Sequence, residues 1–135
     1  MRKFSSSNLI FLLIIGLGVT YYLYLKGYIF SDFQNLDPKS AYSLIEKEKD
    51  NVFILDVRTP QEYKEGHIPD STLIPLDSLP NQIDKIPRDK KVIVYCRSGM
   101  RSASASRLLS SLGYDVYNIA GGIKSWRDEG LPVER

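Results

Sequence analysis

The chain has one cysteine, one histidine and one tryptophan in 135 residues, and these scarcities exclude whole classes of chemistry. A single cysteine rules out an internal disulfide and every multi-cysteine metal site, and a single histidine leaves too few soft ligands for zinc. Excess charge is scarce too. The formal charge is +2, but Arg2, Lys3 and Lys26 are the only charged residues among the first thirty. Setting those three aside, 15 of the 18 basic residues remain against 16 acidic ones. The rest of the chain therefore lacks the positive field that a nucleic-acid backbone attracts, and no nucleic-acid partner is expected. One thiol remains, Cys96, which is either a packing residue or a nucleophile.

Charge is absent altogether from Leu9 to Leu25, a run of Leu, Ile, Gly and Tyr that Gly27 to Phe30 extend beyond Lys26. This is the short end of what spans a bilayer, and residues 1–30 are predicted to be a single-pass transmembrane anchor. Tyr21, Tyr22, Tyr24 and Tyr28 cluster at its carboxyl-terminal edge, where amphipathic rings sit at headgroup level, and Lys26 is placed to snorkel there. A lipoprotein signal needs a cysteine just after the run, and none is present. A cleaved signal peptide prefers small residues at the cut, whereas this run ends in tyrosines and a lysine. Arg2, Lys3 and the terminal amine precede the span, so the charge rule favours an inside amino terminus and an outer domain.

Residues 31–36 read as a polar linker and residues 37–135 as one α/β domain. Asp37-Pro38 supplies a cap and a first-turn proline for a helix to about Lys49. Val52 to Val57 reads as a buried strand, and Thr59-Pro60 starts a short helix that Gly66 ends. A short strand is expected at 72–74, a weak helix interrupted by Pro80 at 76–86, and the strongest strand at Val92 to Tyr95. A helix from about Ser102 to Leu112, a strand at 115–119, a Gly121-Gly122 turn and a helix from Ile123 to Glu129 complete the series. Continuous apolar strands alternating with helices predict a mostly parallel central sheet with helices on both faces. Sites in such sheets lie at the carboxyl ends of strands, where Cys96 falls.

Cys96-Arg97-Ser98-Gly99-Met100-Arg101 puts the thiol at the start of a tight strand-to-helix loop. Backbone N–H groups, the positive end of the next helix and two guanidinium groups all favour thiolate over thiol there. Together with Leu55-Asp56-Val57-Arg58, Glu62-Tyr63, Gly66-His67-Ile68-Pro69-Asp70, Gly121-Gly122 and Trp126, this loop resembles a rhodanese domain in order and spacing, over about Asp37 to Val133.

The resemblance implies a rhodanese-like fold and transfer of a sulfane sulfur, from a donor such as thiosulfate to a thiol or cyanide acceptor, through a Cys96 persulfide. It implies no metal and no organic cofactor. The backbone of Arg97, Ser98, Gly99, Met100 and Arg101 would cradle the persulfide, and Arg97 and Arg101 would attract a small anionic donor. Two other readings stay open: a non-catalytic binding module of the same fold, and a phosphatase or arsenate reductase. Phosphatase loops have the form Cys-x5-Arg, yet position 102 is Ser102 and the arginine comes one residue early at Arg101. Asp56 and Arg58 end a strand on the same edge as Cys96. They either contact substrate or brace the edge, with Arg58 paired to Glu62 four residues on. His67 is expected to brace its loop and Trp126 to pack in the core. The sequence is silent on oligomeric state.

Overall fold

The computed structural model describes residues 3, 5–25 and 33–135. Residues 33–135 are built on a sheet of five parallel strands in the order β1-β5-β4-β2-β3. The two central apolar runs form β2 (Val52–Asp56) and β4 (Lys91–Tyr95), paired in register from Val52↔Lys91 to Asp56↔Tyr95. β5 (Val116–Ile119) joins β4 on one side, and β3 (Thr72–Leu73) joins β2 on the other. Side chains alternate between two cores. Leu55, Val92 and Val94 pack on one face with Ala105 and Leu109. Ile54, Ile93 and Tyr95 pack on the other with Ala41, Ile45, Ile123 and Trp126. A parallel strand buried on both faces needs apolar residues at both parities, which is why these runs are continuous and not alternating.

Residues 33–36, expected to be linker, are instead the edge strand β1 (Phe33–Leu36), paired from Phe33↔Val116 to Leu36↔Ile119. Gln34 and Asn35 are exposed while Phe33 and Leu36 are half-buried, so the segment lacks the apolar density of the inner strands. Pairing to β5 holds it in place, including an Asn118 Nδ2 to Asn35 Oδ1 hydrogen bond of 3.0 Å.

Two helices follow the expected caps, and a third follows the expected glycine turn. α2 (Pro38–Lys47) is capped by Asp37, whose carboxylate accepts from the Ser40 N–H. A 3₁₀ turn at Lys49–Asn51 replaces its expected last residues. α3 (Pro60–Glu65) carries a full capping box between Thr59 and Glu62. α5 (Gly122–Asp128) starts at the second glycine of the predicted turn. The weak helix around Pro80 resolves into two 3₁₀ turns, Leu76–Asn81 and Ile83–Lys85, because proline brings no N–H to an α-helical ladder. α4 (Met100–Ser111) begins two residues earlier than expected, so Met100 and Arg101 belong to its first turn.

The amino-terminal run is α1 (Ser6–Leu25), whose 20 residues span about 30 Å. Its stretch Ser6–Leu23 has a mean hydropathy of 1.7 and is nowhere buried. That length and composition suit a membrane anchor and a signal sequence alike. Tyr21 and Tyr22 are exposed near its end, while Arg2, Lys26 and Tyr28 lie outside the described residues.

Candidate active site

The site is assembled where β4 runs out. Cys96 leaves the strand with 1% of its surface exposed, and its Sγ accepts hydrogen bonds from the Gly99 N–H at 3.1 Å and the Ser102 hydroxyl at 3.4 Å. Burial pushes the thiol pKa up. The Ser102 hydroxyl and the backbone N–H groups of Ser102, Gly99 and Ser98 act against it, and the net effect holds the thiol below its ordinary value. The fold thus favours thiolate at this atom, chiefly through short dipoles that touch the sulfur.

The loop is held from behind by α5. The carbonyl of Cys96 accepts from the Ile123 N–H at 2.9 Å, and that of Arg97 from the Lys124 N–H at 3.1 Å. Gly122 makes this approach feasible. At φ 62° it sits in the left-handed region, and a β-carbon there would come within 2.4 Å of the Arg97 carbonyl oxygen. The Gly99 carbonyl accepts the Ala103 N–H at 3.1 Å as α4 begins.

The sequence-predicted residues separate into groups. Arg97 and Ser98 are exposed, and Met100 is 79% exposed, so all three turn their side chains to solvent. Arg101 turns to α3 and makes two hydrogen bonds to Glu62, of 2.8 and 2.9 Å. That pairing draws the Glu62 carboxyl down to about 2. Arg101 is therefore a tethered cation whose charge is already matched.

Asp56 and Arg58 are brought together and buried. Arg58 Nη2 lies 2.7 Å from Asp56 Oδ2, and Arg58 Nε lies 3.0 Å from both carboxylate oxygens. Arg58 also donates to the Gly66 carbonyl at 2.7 Å and lies 5.4 Å from the Tyr95 ring centre. The expected Arg58 to Glu62 pair does not form. Residues 56 and 58 leave the sheet on one side, so the buried guanidinium meets Asp56 first, and Glu62 is left to reach Arg101. His67 is a brace: Nδ1 lies 2.9 Å from the Tyr63 carbonyl oxygen, the ring stacks on Tyr63, and its backbone pairs with Glu134. Trp126 is buried in the core, with Nε1 donating to the Pro132 carbonyl at 2.8 Å.

Ser102 and Glu62 were not singled out as site residues by sequence reasoning. Ser102 had a signal, a small hydroxyl in the first turn of a helix whose amino end faces an anion. Glu62 stood in the quoted Glu62-Tyr63 fragment, but nothing local showed its tie to the loop, because its partner Arg101 lies 39 residues away. Among the described residues no group of three or more His, Cys, Asp or Glu side chains converges as a metal site would require.

Against known proteins, residues 37–129 match the family model described as a rhodanese-like domain. A sulfurtransferase of Allochromatium vinosum is 41% identical over 87 residues, covering 64% of this chain and 81% of that protein. A thiosulfate sulfurtransferase of Pseudomonas syringae is 35% identical over 98 residues, covering 72% and 90%. The crystal structure of a rhodanese-related protein from Thermoplasma volcanium superposes with a TM-score of 0.70 at 38% identity, covering 75% of this chain and 97% of that one. With the parallel sheet, the thiolate loop at the end of β4 and these likenesses agreeing, the chain belongs to the rhodanese-like domain family.

Proposed function

We propose that this protein is a membrane-anchored sulfurtransferase that carries sulfane sulfur as a persulfide on Cys96. The observation that carries this reading is the buried Cys96 Sγ with the Gly99 N–H and the Ser102 hydroxyl on it, a site that stabilises an anionic sulfur. The thiolate attacks the outer sulfur of a donor such as thiosulfate. A new S–S bond forms, the donor's S–S bond breaks, and its electron pair leaves with sulfite. An acceptor thiolate or cyanide then attacks the outer sulfur of the persulfide and releases Cys96 as thiolate. No electrons are gained or lost overall, and the residues need only hold and shield sulfur. The names of the relatives, a sulfurtransferase and a thiosulfate sulfurtransferase, support the same reaction class.

The phosphatase alternative is disfavoured by Ser102. It stands where a Cys-x5-Arg loop has its arginine, is fully buried, and gives its hydroxyl to the sulfur. α1 supports the anchor, with the basic residues before it favouring an inside amino terminus and an outer domain. Mass spectrometry of the protein after incubation with thiosulfate tests the core of the proposal. One added sulfur on Cys96, removed by cyanide or a thiol, is expected; an unmodified Cys96 alongside hydrolysis of aryl phosphates would overturn it.

A further inference from the structure

Between α3 and α5 lies a cleft of about 210 Å³ lined by Arg58, Glu62, Glu65, Arg97, Ile123 and Arg127. It adjoins the reactive loop directly, since Arg97 follows Cys96 and Ile123 donates its N–H to the Cys96 carbonyl. Its charges do not cancel. Arg58 is matched by Asp56 and Glu62 by Arg101. Arg97 and Arg127 have no ion pair among the described residues, and Glu65, hydrogen-bonded to Gln61, is the one carboxylate left to face them. With one carboxylate for two guanidinium groups, the cleft keeps an unmatched positive charge that a bound anion would balance.

Arg127 also lies close against the backbone there. Gly66, at the end of α3, has φ 152°, and a β-carbon on it would lie 2.3 Å from Arg127 Nη2. The guanidinium thus rests on a glycine whose carbonyl holds Arg58. A planar guanidinium fork there suits an oxyanion that can present two oxygens to it.

We infer that this cleft is the subsite for the oxyanion head of the sulfur donor, held between Arg97 and Arg127, while Arg101 stays bound to Glu62 and takes no part in gripping it. The inference rests on the sulfurtransferase reading but assigns a residue, Arg127, and a place that the reading alone does not. The head is a sulfite-like group, so its binding is measurable without chemistry.

The test uses the full chain in detergent micelles with Cys96→Ser, titrated with sulfite by calorimetry at constant ionic strength. Sulfite is expected to bind, and Arg127→Ala or Arg97→Ala to weaken it about tenfold or more, the size of one lost charge-assisted contact. Arg127→Lys should recover part of the loss and Glu65→Gln should tighten binding. With Cys96 restored, Arg127→Ala should raise the half-saturating thiosulfate concentration for persulfide formation by a similar factor. Absent sulfite binding, or binding unmoved by Arg127→Ala, overturns the subsite. Sulfite binding that depends on Arg127 in a protein that never forms the persulfide would uphold the subsite and overturn the sulfurtransferase reading instead.

Discussion

Glu62 and Arg101 join the first turns of α3 and α4 through two parallel hydrogen bonds, while Glu62 also accepts from the Thr59 N–H at 3.3 Å. One carboxylate thereby caps its own helix and pins the rim of the sulfur loop. Glu62→Gln is expected to lower stability by roughly 0.5–1 kcal/mol, the scale of a partly exposed pair and a cap. The pH dependence follows from the depressed carboxyl, which moves from 4.5 to about 2. The wild-type advantage is present in full above the ordinary carboxyl value and is lost as pH falls through about 2. Urea unfolding of both proteins at pH 7 and at pH 3 to 2 checks this; equal stability at pH 7 would sink it.

Alkylation of Cys96 by iodoacetamide should reach half its maximal rate at a pH below that of an ordinary thiol, because hydrogen bonds outweigh burial at this sulfur. Reactivity is then kept as pH drops until it passes the lowered value. Ser102→Ala removes the first of those hydrogen bonds and should shift the profile upward. An unshifted profile would show that the hydroxyl does not support the thiolate.

Gly122→Ala should cost more than about 1 kcal/mol, since it forces a β-carbon against the Arg97 and Cys96 carbonyls at a positive φ. Displacing α5 from those carbonyls also loosens the loop. Thermal unfolding and persulfide yield should fall together, and a variant with normal stability would contradict the observed packing.

Two truncations separate anchor from domain. A chain starting at Ser31 keeps β1 and should be soluble and folded, whereas one starting at Asp37 strips β5 of its outer partner and leaves β5 as an open edge. The shorter chain should aggregate or melt at a lower temperature. The full chain should remain with membranes through an alkaline wash, and its release by washing would remove the anchor.

What was legible in the sequence follows physical density. Val52 to Val57 and Val92 to Tyr95 declare themselves because a strand covered on both faces must be largely apolar. Asp37-Pro38 and Thr59-Pro60 declare helices because the cap chemistry is local. β1 did not, since Gln34 and Asn35 face solvent and only the pairing to β5 makes a strand of them. At the site, the loop and Cys96 were readable as a contiguous motif. The partner of Arg101 was not, because Glu62 lies 39 positions away. That of Arg58 is only two positions away, but the pairing depends on residues 56 and 58 leaving the strand end on one side, where helical spacing pointed to Glu62 instead. Arg127 belongs to the same class: nothing near it in the chain shows the cleft it faces.

The uniform direction of the strands sets where a tether can pull. Phe33 is level with Val116, which is level with Val92, and the sulfur-bearing residue comes four positions further along β4, about 13 Å up the sheet at 3.3 Å per residue. The first described residue of the domain, Phe33, therefore lies at the pole of the sheet opposite Cys96. A pull applied at Phe33 would act on that pole and not on the one that carries Cys96.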